Sequence, residues 1–395
     1  MKKKVIYIQQ YIKGSGYHPP MDMYPNYFTY GFGGRLGRIF KKFNSSWDVE
    51  VWRLDSTVKK MQLTDYENIH YKIFPTRGNS KIGIYSLRFI KALRQLPRNT
   101  ILNVQNIHNP LLYQILLFSP SKLIITAQHH GDNHPYFTLK NAKGKKRIKA
   151  CLSFVIEKLL INRVRHFFII DVDHINYLRK TVNSLNGRYS IQPIGIDFSI
   201  YKRIPKEEAC SEIGLNPRGN YIFYLGQYYH LKEVDRLCEV YKRVKEINPG
   251  IQMFVAGGSP KDLYYKNIIQ CGAIDFGKIP NNELYKFYSA ADVYVSMAFR
   301  SDYFGGVGLA MLEAMAAGIP VVCKSLENIP ENIRQFVGKR PSDENEMVQD
   351  IIEVINNREN YSDCRKYMEE LYDYSIIQKN TSRVYENLLK QQIKD

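Results

Sequence analysis

Apolar positions along the chain fall into two periods. Short continuous apolar runs read as strands buried on both faces: VIYIQQ, DVEVWRL, TILNVQ, KLIITAQ, HFFII and SIQPI early, then YIFYLG, IQMFVAG, IDFGKI, DVYVS and PVVCK. Between them, SLRFIKALRQL, VDRLCEVYKRVKEI and NELYKFYSAA place apolar residues at helical spacing. Strand–helix alternation of this kind predicts parallel sheets in βαβ units. The pattern pauses over the polar, Pro- and Gly-punctuated IDFSIYKRIPKEEACSEIGLNPRGN and resumes at Tyr221. A domain boundary is expected in that pause, and neither half shows a short-period repeat or a low-complexity tract.

The stretch GVGLAMLEAMAAGIPVV, from Gly306 to Val322, predicts a loop, a short helix, a tight turn and a strand. LAMLEAMAA is strongly helix-forming, Gly318 ends it, and Pro320 prevents it from restarting. The amides at such a helix start lack intrahelical acceptors and carry the positive dipole end, a place to hold a phosphate. Glu313 sits in the second turn, too far along to be a cap.

The 395 residues exceed one ordinary core and predict two domains. No apolar run is long enough to cross a bilayer. Gln9 and Gln10 interrupt any signal-peptide core after the basic start, so a secreted product is not expected. Cys151, Cys210, Cys238, Cys271, Cys323 and Cys364 are scattered without a C-x-x-C pair, as in a reduced cytoplasmic protein. The net charge of +18 suits polyanions, whether nucleic acid, anionic membrane or phosphorylated substrate, or else reflects a solubility bias.

Three glycine turns at expected strand ends lie in the second half: YLGQYYHLKEVD with Gly226 and Lys232, VAGGSP with Gly257, and the run into Leu309. Together they suggest a nucleotide site. In the first half, ITAQHHGDNH ends a strand with His129 and His130. His129, His130 and His134 do not share a helix face, so zinc is not expected; a hydrogen bond from a strand-end His to substrate is. His108, Asp171 and Asp173 read as structural. The Tyr-rich segment from Gln9 to Gly34 either stacks on a ligand or packs on the protein. Gly31, Gly33 and Gly37 miss G-x-G-x-x-G, and no Walker A lysine motif is present. Residues 140–165 join Lys143, Lys145, Lys146, Arg147 and Lys149 to an amphipathic apolar run. Such a run is either a helix resting on an anionic membrane or a core helix with a solvated charged end.

From Tyr221 to Ile333 the chain resembles the retaining glycosyltransferases of the GT-B fold, in particular the large E-x7-E family (glycosyltransferase family 4, glycosyl transferases group 1). FYLG with its following Lys, GKIPNNELYKFYSAADVYVS, GVGLAMLEAMAAGIPVV and NIPENI carry the likeness. FGGRLGRIF, TAQHHG and SIQPIGID extend it more loosely over the first half. The resemblance implies an α/β chain of two Rossmann-like domains facing across a cleft. Residues 1–200 would bind the acceptor and 201–374 the nucleotide-sugar donor, and 375–395 would form a helix returning to the first domain.

The resemblance also implies donor contacts from Gly34, Gly226, Gln227, Lys232, Gly257, Gly308, Leu309 and Glu313, and catalytic roles for His130, Asp302 and Glu313. Lys232 would neutralise the diphosphate and Glu313 would meet the ribose hydroxyls. The family commonly has Arg where this chain has Gln227. Gly305 stands at the first acid of the motif, so either Asp302 replaces that carboxylate or the contact is absent. Transfer with retention would need no cofactor and no metal. The resemblance implies a nucleotide-sugar donor, and the basic charge with the amphipathic run suits a glycan or lipid-linked acceptor in bacterial surface polysaccharide biosynthesis, such as capsule or lipopolysaccharide. The setting would be cytoplasmic, peripheral on the inner face of the cytoplasmic membrane if residues 140–165 meet an anionic surface. Rival readings are a GT-B sugar-nucleotide epimerase and a basic nucleic-acid-binding protein. Against the latter, no RNP pattern, zinc knuckle or basic-region heptad occurs.

Overall fold

The computed structural model describes residues 3–11, 32–79, 83–130, 134–192, 195–229, 232–297 and 308–394. The chain divides into two compact units, Met1–Pro193 with Ile377–Asp395, and Ile194–Ile376.

In the first unit the elements run β1 (Lys4–Tyr11), α1 (Phe32–Phe43), β2 (Asp48–Asp55), β3 (Gln62–Tyr66), β4 (Ile69–Pro75), the hairpin β5 (Arg77–Asn79) and β6 (Gly83–Tyr85), and α2 (Leu87–Gln95). They continue with β7 (Thr100–Gln105), α3 (Pro110–Phe118), β8 (Ile124–Gln128), α4 (Pro135–Asn141), α5 (Gly144–Leu160), β9 (Val164–Ile169), α6 (Val172–Thr181) and β10 (Tyr189–Ile191). The sheet order is β10-β9-β8-β7-β1-β2-β4-β3, parallel except where β3 meets β4. Every residue of β7 and β8 is buried, as expected of parallel strands covered on both faces. Polar residues start the helices: Asn109 accepts from the Leu112 amide at 3.0 Å ahead of Pro110, and Asp171 accepts from the His174 amide at 2.8 Å.

The second unit contains α7 (Lys206–Ile213), β11 (Asn220–Leu225), α8 (Val234–Ile247), β12 (Ile251–Ala256), α9 (Tyr265–Gln270), β13 (Ile274–Asp275), α10 (Leu284–Ala290) and β14 (Val293–Ser296). After these come α11 (Leu309–Ala316), β15 (Val321–Cys323), α12 (Glu331–Val337), β16 (Gly338–Lys339), α13 (Glu344–Asn356) and α14 (Cys364–Tyr372). Its wholly parallel sheet has the order β13-β12-β11-β14-β15-β16. Phe223 and Phe254 stack in its interior with ring centres 4.7 Å apart. The predicted helix–turn–strand at the end of GVGLAMLEAMAAGIPVV is present, with Gly318 at φ +75 between α11 and β15.

The chain's last helix, α15 (Tyr374–Lys394), belongs to the first unit from Ile377 onward. There Tyr385 is fully buried against Phe40 and Trp47, and Gln392 donates to the Lys122 carbonyl at 2.6 Å. The units divide at 193/194 and 376/377 rather than at 200/201 and 374/375. Backbone bonding explains the first difference. Ile196 exchanges hydrogen bonds with the Tyr372 carbonyl and the Tyr374 amide, and Arg365 donates to the carbonyls of Phe198 and Tyr201. Those bonds tie the segment after Pro193 into the second unit.

Candidate functional site

In the second unit the strand order reverses between β11 and β14, because the chain winds outward from β11 through β12 and β13, then returns to β14. Open α/β sheets hold ligands beyond the carboxyl ends of strands at such a switch point. A cavity of about 230 Å³ lies there. Leu225 ends β11, Ser296 ends β14 and Cys323 ends β15, and all three line it together with Lys232, Gly308 and Leu309. The sequence had assigned the last three to donor binding; the fold brings them to one cavity.

Gly308 precedes α11 in extended conformation and offers no side chain to cap it. Among the described residues, the amides of the helix's first turn therefore have neither a capping oxygen nor an intrahelical carbonyl, and that turn borders the cavity. Burial pushes the thiol of Cys323 up, against a hydrogen bond from Ser325 and the positive charge of Lys232. The cavity is thus bordered by one ammonium and one helix start, both favourable to an anion.

Gly226 and Gly257 end β11 and β12 side by side. The Gly226 amide donates to the Ala256 carbonyl at 2.9 Å. Gly257 has φ +94, and a Cβ there would lie 3.1 Å from the Gly226 nitrogen. Gln227 is exposed, with its carbonyl accepting from the Tyr224 hydroxyl at 3.2 Å. Asp302 and Gly305 lie outside the described residues.

Glu313 is nearly buried one turn into α11. Its two carboxylate oxygens accept from the hydroxyls of Tyr201 at 2.8 Å and Tyr288 at 2.9 Å. Tyr288 also donates to the Ala310 carbonyl at 3.1 Å. Burial, and then the charge of Glu313, push the Tyr288 hydroxyl well up, so it stays protonated and donating. Sequence reasoning missed both tyrosines. Nothing local marks Tyr201, which reaches Glu313 only through the path of the segment after Ile196.

In the first unit His130 follows the end of β8. Its Nε2 lies 2.6 Å from Gln105 Oε1; Gln105 in turn donates to Asn103, and Asn103 donates to Tyr385 at 2.8 Å. The imidazole is therefore oriented by a chain of side chains running to α15. Gly34 lies in the first turn of α1, where its amide donates to Gln9 Oε1 at 3.2 Å. A Cβ on Gly33 would meet the same oxygen at 2.7 Å.

Behind His130 lies a buried group of histidines. His129, Asp171 and His174 each bring one ligand-type atom within 4.8 Å of the others. His174 was not foreseen in this group; only the packing of α6 against the end of β8 brings it in. The rings of His129 and His174 lie 3.6 Å apart, centre to centre, tilted by 34°. Asp171 resists the effect of burial: hydrogen bonding and charge from His174, with charge from His129, push its carboxyl down to about 2. Asp171 caps α6, and Asp173 pairs with His134 at 3.0 Å. His108 lies 3.0 Å from both oxygens of buried Glu157.

Residues 205–371 match the family model described as glycosyl transferases group 1. That match falls within the second unit. A D-inositol 3-phosphate glycosyltransferase of Segniliparus rotundus is 29% identical over 152 residues, 36% of this chain and 33% of that protein. The O-antigen chain mannosyltransferase B of Escherichia coli is 28% identical over 119 residues, 28% of this chain and 30% of that protein. These matches span about a third of each relative's own length. The structure of Anabaena HepE in complex with UDP-glucose aligns with a TM-score of 0.66 at 11% identity, covering 97% of this chain and 99% of that one. The chain has the GT-B fold, built of two α/β units, and the match to glycosyl transferases group 1 lies in the second. Among the described residues, no helix is long and apolar enough to cross a membrane.

Proposed function

We propose that the chain transfers a sugar from a nucleotide-diphosphate sugar to a glycan or lipid-linked glycan, with retention of anomeric configuration. The observation that carries the reading is the shared cavity of Lys232 and the first turn of α11 at the sheet's switch point. In such a transfer the bond from the anomeric carbon to the diphosphate oxygen breaks, and negative charge grows on the leaving diphosphate. An ammonium and unpaired amides held in place before the reaction stabilise that charge without reorganisation. We assign these roles to Lys232 and to the backbone at Gly308 and Leu309.

Glu313 takes the ribose hydroxyls as hydrogen-bond donors. Its oxygens also accept from Tyr201 and Tyr288, which hold the carboxylate in place. Gly226, Gln227 and Gly257 form the turns that let backbone approach the donor. His130, fixed by Gln105, hydrogen-bonds a sugar hydroxyl. We assign Asp302 the place of the motif's missing first acid. Lys232 and the helix start supply the charge a metal would otherwise bring, so the proposed reaction uses no metal and no cofactor; the donor's own phosphate oxygen accepts the acceptor proton. The UDP-glucose bound to HepE supports a UDP-sugar donor. The O-antigen enzyme supports bacterial surface polysaccharide biosynthesis as the setting.

A thermal-shift screen of UDP-, GDP- and ADP-sugars tests this reading. A true donor at a hundred times its dissociation constant adds about 2.7 kcal/mol of stability. The same donor should yield a product whose anomeric proton signal matches the donor's configuration. If no nucleotide sugar raises the melting temperature, the proposal fails.

A further inference from the structure

Helix α5 presents its apolar residues to solvent. Ile148 is 64% exposed, Leu152 59% and Leu159 75%, with Val155 and Ile156 also exposed. At 100° per residue these five fall on one stripe about 100° wide. The opposite side of the helix holds buried Ala150 and Glu157. From Ile148 to Leu159 the stripe runs about 16 Å along the axis. A contiguous exposed apolar stripe of this kind marks an interaction surface.

The charges around the stripe identify the partner. Lys149 borders one side, Arg147 and Lys158 the other, and Lys145 and Lys146 stand at the helix start, all exposed. Glu157 is the one acid between residues 140 and 165. It is turned fully inward, accepting from Tyr113 at 2.7 Å and Tyr177 at 2.8 Å, with His108 at 3.0 Å. The outer face of α5 is therefore purely cationic around an apolar strip. A helix of this kind lies in the plane of an anionic bilayer, its strip among the upper acyl chains and its lysines at the headgroups.

We propose that α5 is the surface by which the protein docks on an anionic lipid membrane, with Ile148, Leu152, Val155, Ile156 and Leu159 inserted. Helix α3, which packs against α5, also exposes Leu117 and Phe118. The two readings of residues 140–165 left open by the sequence are separated by burial: the apolar stripe faces outward.

Co-sedimentation with vesicles of phosphatidylglycerol and phosphatidylcholine in equal parts, and with phosphatidylcholine alone, tests the docking. The protein should bind the mixed vesicles, leave the neutral ones in the supernatant, and release as salt rises. Replacing Lys145, Lys149 and Lys158 by Gln should lower partitioning about fivefold for each. Leu152→Glu with Leu159→Glu should abolish binding while the melting temperature stays at the parent value. If the Glu variant does not fold, the Gln series still decides. Equal binding to neutral vesicles, or none to anionic vesicles at low salt, overturns the proposal. So does a concentration-dependent dimer that the Glu pair dissolves, since the stripe would then cover a second copy. Vesicle binding is read without any sugar donor, so its failure is distinct from failure of the transferase chemistry.

Discussion

Tyr201 donates a 2.8 Å hydrogen bond to Glu313, joining the segment that enters the second unit to the helix that borders its cavity. Tyr288 holds the other carboxylate oxygen at 2.9 Å. The two hydroxyls fix the orientation of the carboxylate.

Glu313→Ala should weaken nucleotide-sugar binding by about 1–3 kcal/mol, the cost of stranding hydrogen-bonding groups that met a charge. Tyr201→Phe removes one support and should cost less, about 0.5–1.5 kcal/mol. Calorimetric titration of each variant ranks the two losses. Unchanged affinity in Glu313→Ala would remove the ribose role.

Lys232→Met keeps the length of the side chain and deletes its charge. Product formation should slow by about 10²–10³-fold in kcat, with a smaller change in KM, because the charge it meets grows as the diphosphate departs. Steady-state kinetics with the donor found by thermal shift give the split. A loss confined to KM would make Lys232 a ground-state binder only.

Gly257→Ala should be destabilising by about 1–2 kcal/mol, since it forces a side chain into left-handed backbone. The new Cβ would also press on Gly226, 3.1 Å away. Gly308→Ala is the control: its backbone is extended, and a Cβ there meets nothing within 4 Å. Thermal melting should show a drop for the first and none for the second.

Asp350, on α13, is a carboxylate at a disadvantage. Burial, then the charge of Glu346, with a further contribution from Glu353 and against Lys339, pushes it up from 3.8 to about 6. Because the folded value is the higher one, the fold holds the proton more tightly than the unfolded chain does. Stability therefore falls as pH rises from about 4 to about 6 and stays lowered above that. Asp350→Asn removes the ionisation and should melt a few degrees higher than the parent at neutral pH. Near pH 4 the two curves should coincide. Melting curves across that range check the sign, and a variant less stable at neutral pH would reverse it.

Much of the frame was legible in the chain, for reasons that are local. TILNVQ and IITAQ are strands because parallel sheets bury both faces. VDRLCEVYKRVKEI is the helix Val234–Ile247 because its apolar spacing gives it one buried side. β3 and β4 were not foreseen; QLTDY is largely exposed, so its apolar pattern is faint. The turns at Gly226 and Gly257 could be read as strand-end glycines before their neighbours were known, whereas Gly308, read the same way, stands instead at a helix start.

What only tertiary structure decided is which distant pieces meet. Lys232 and Leu309 are far apart in the chain, and the cavity they share exists because β14 returns to lie against β11. Tyr201 meets Glu313 because backbone bonds to Tyr372 and Tyr374 draw its segment into the second unit. The outward stripe of α5 follows the same logic. Periodicity shows that a helix has an apolar side, a property of neighbours along the chain. Which side faces water depends on contacts with Tyr113, Tyr177 and His108, and those are set by packing between elements far apart in sequence.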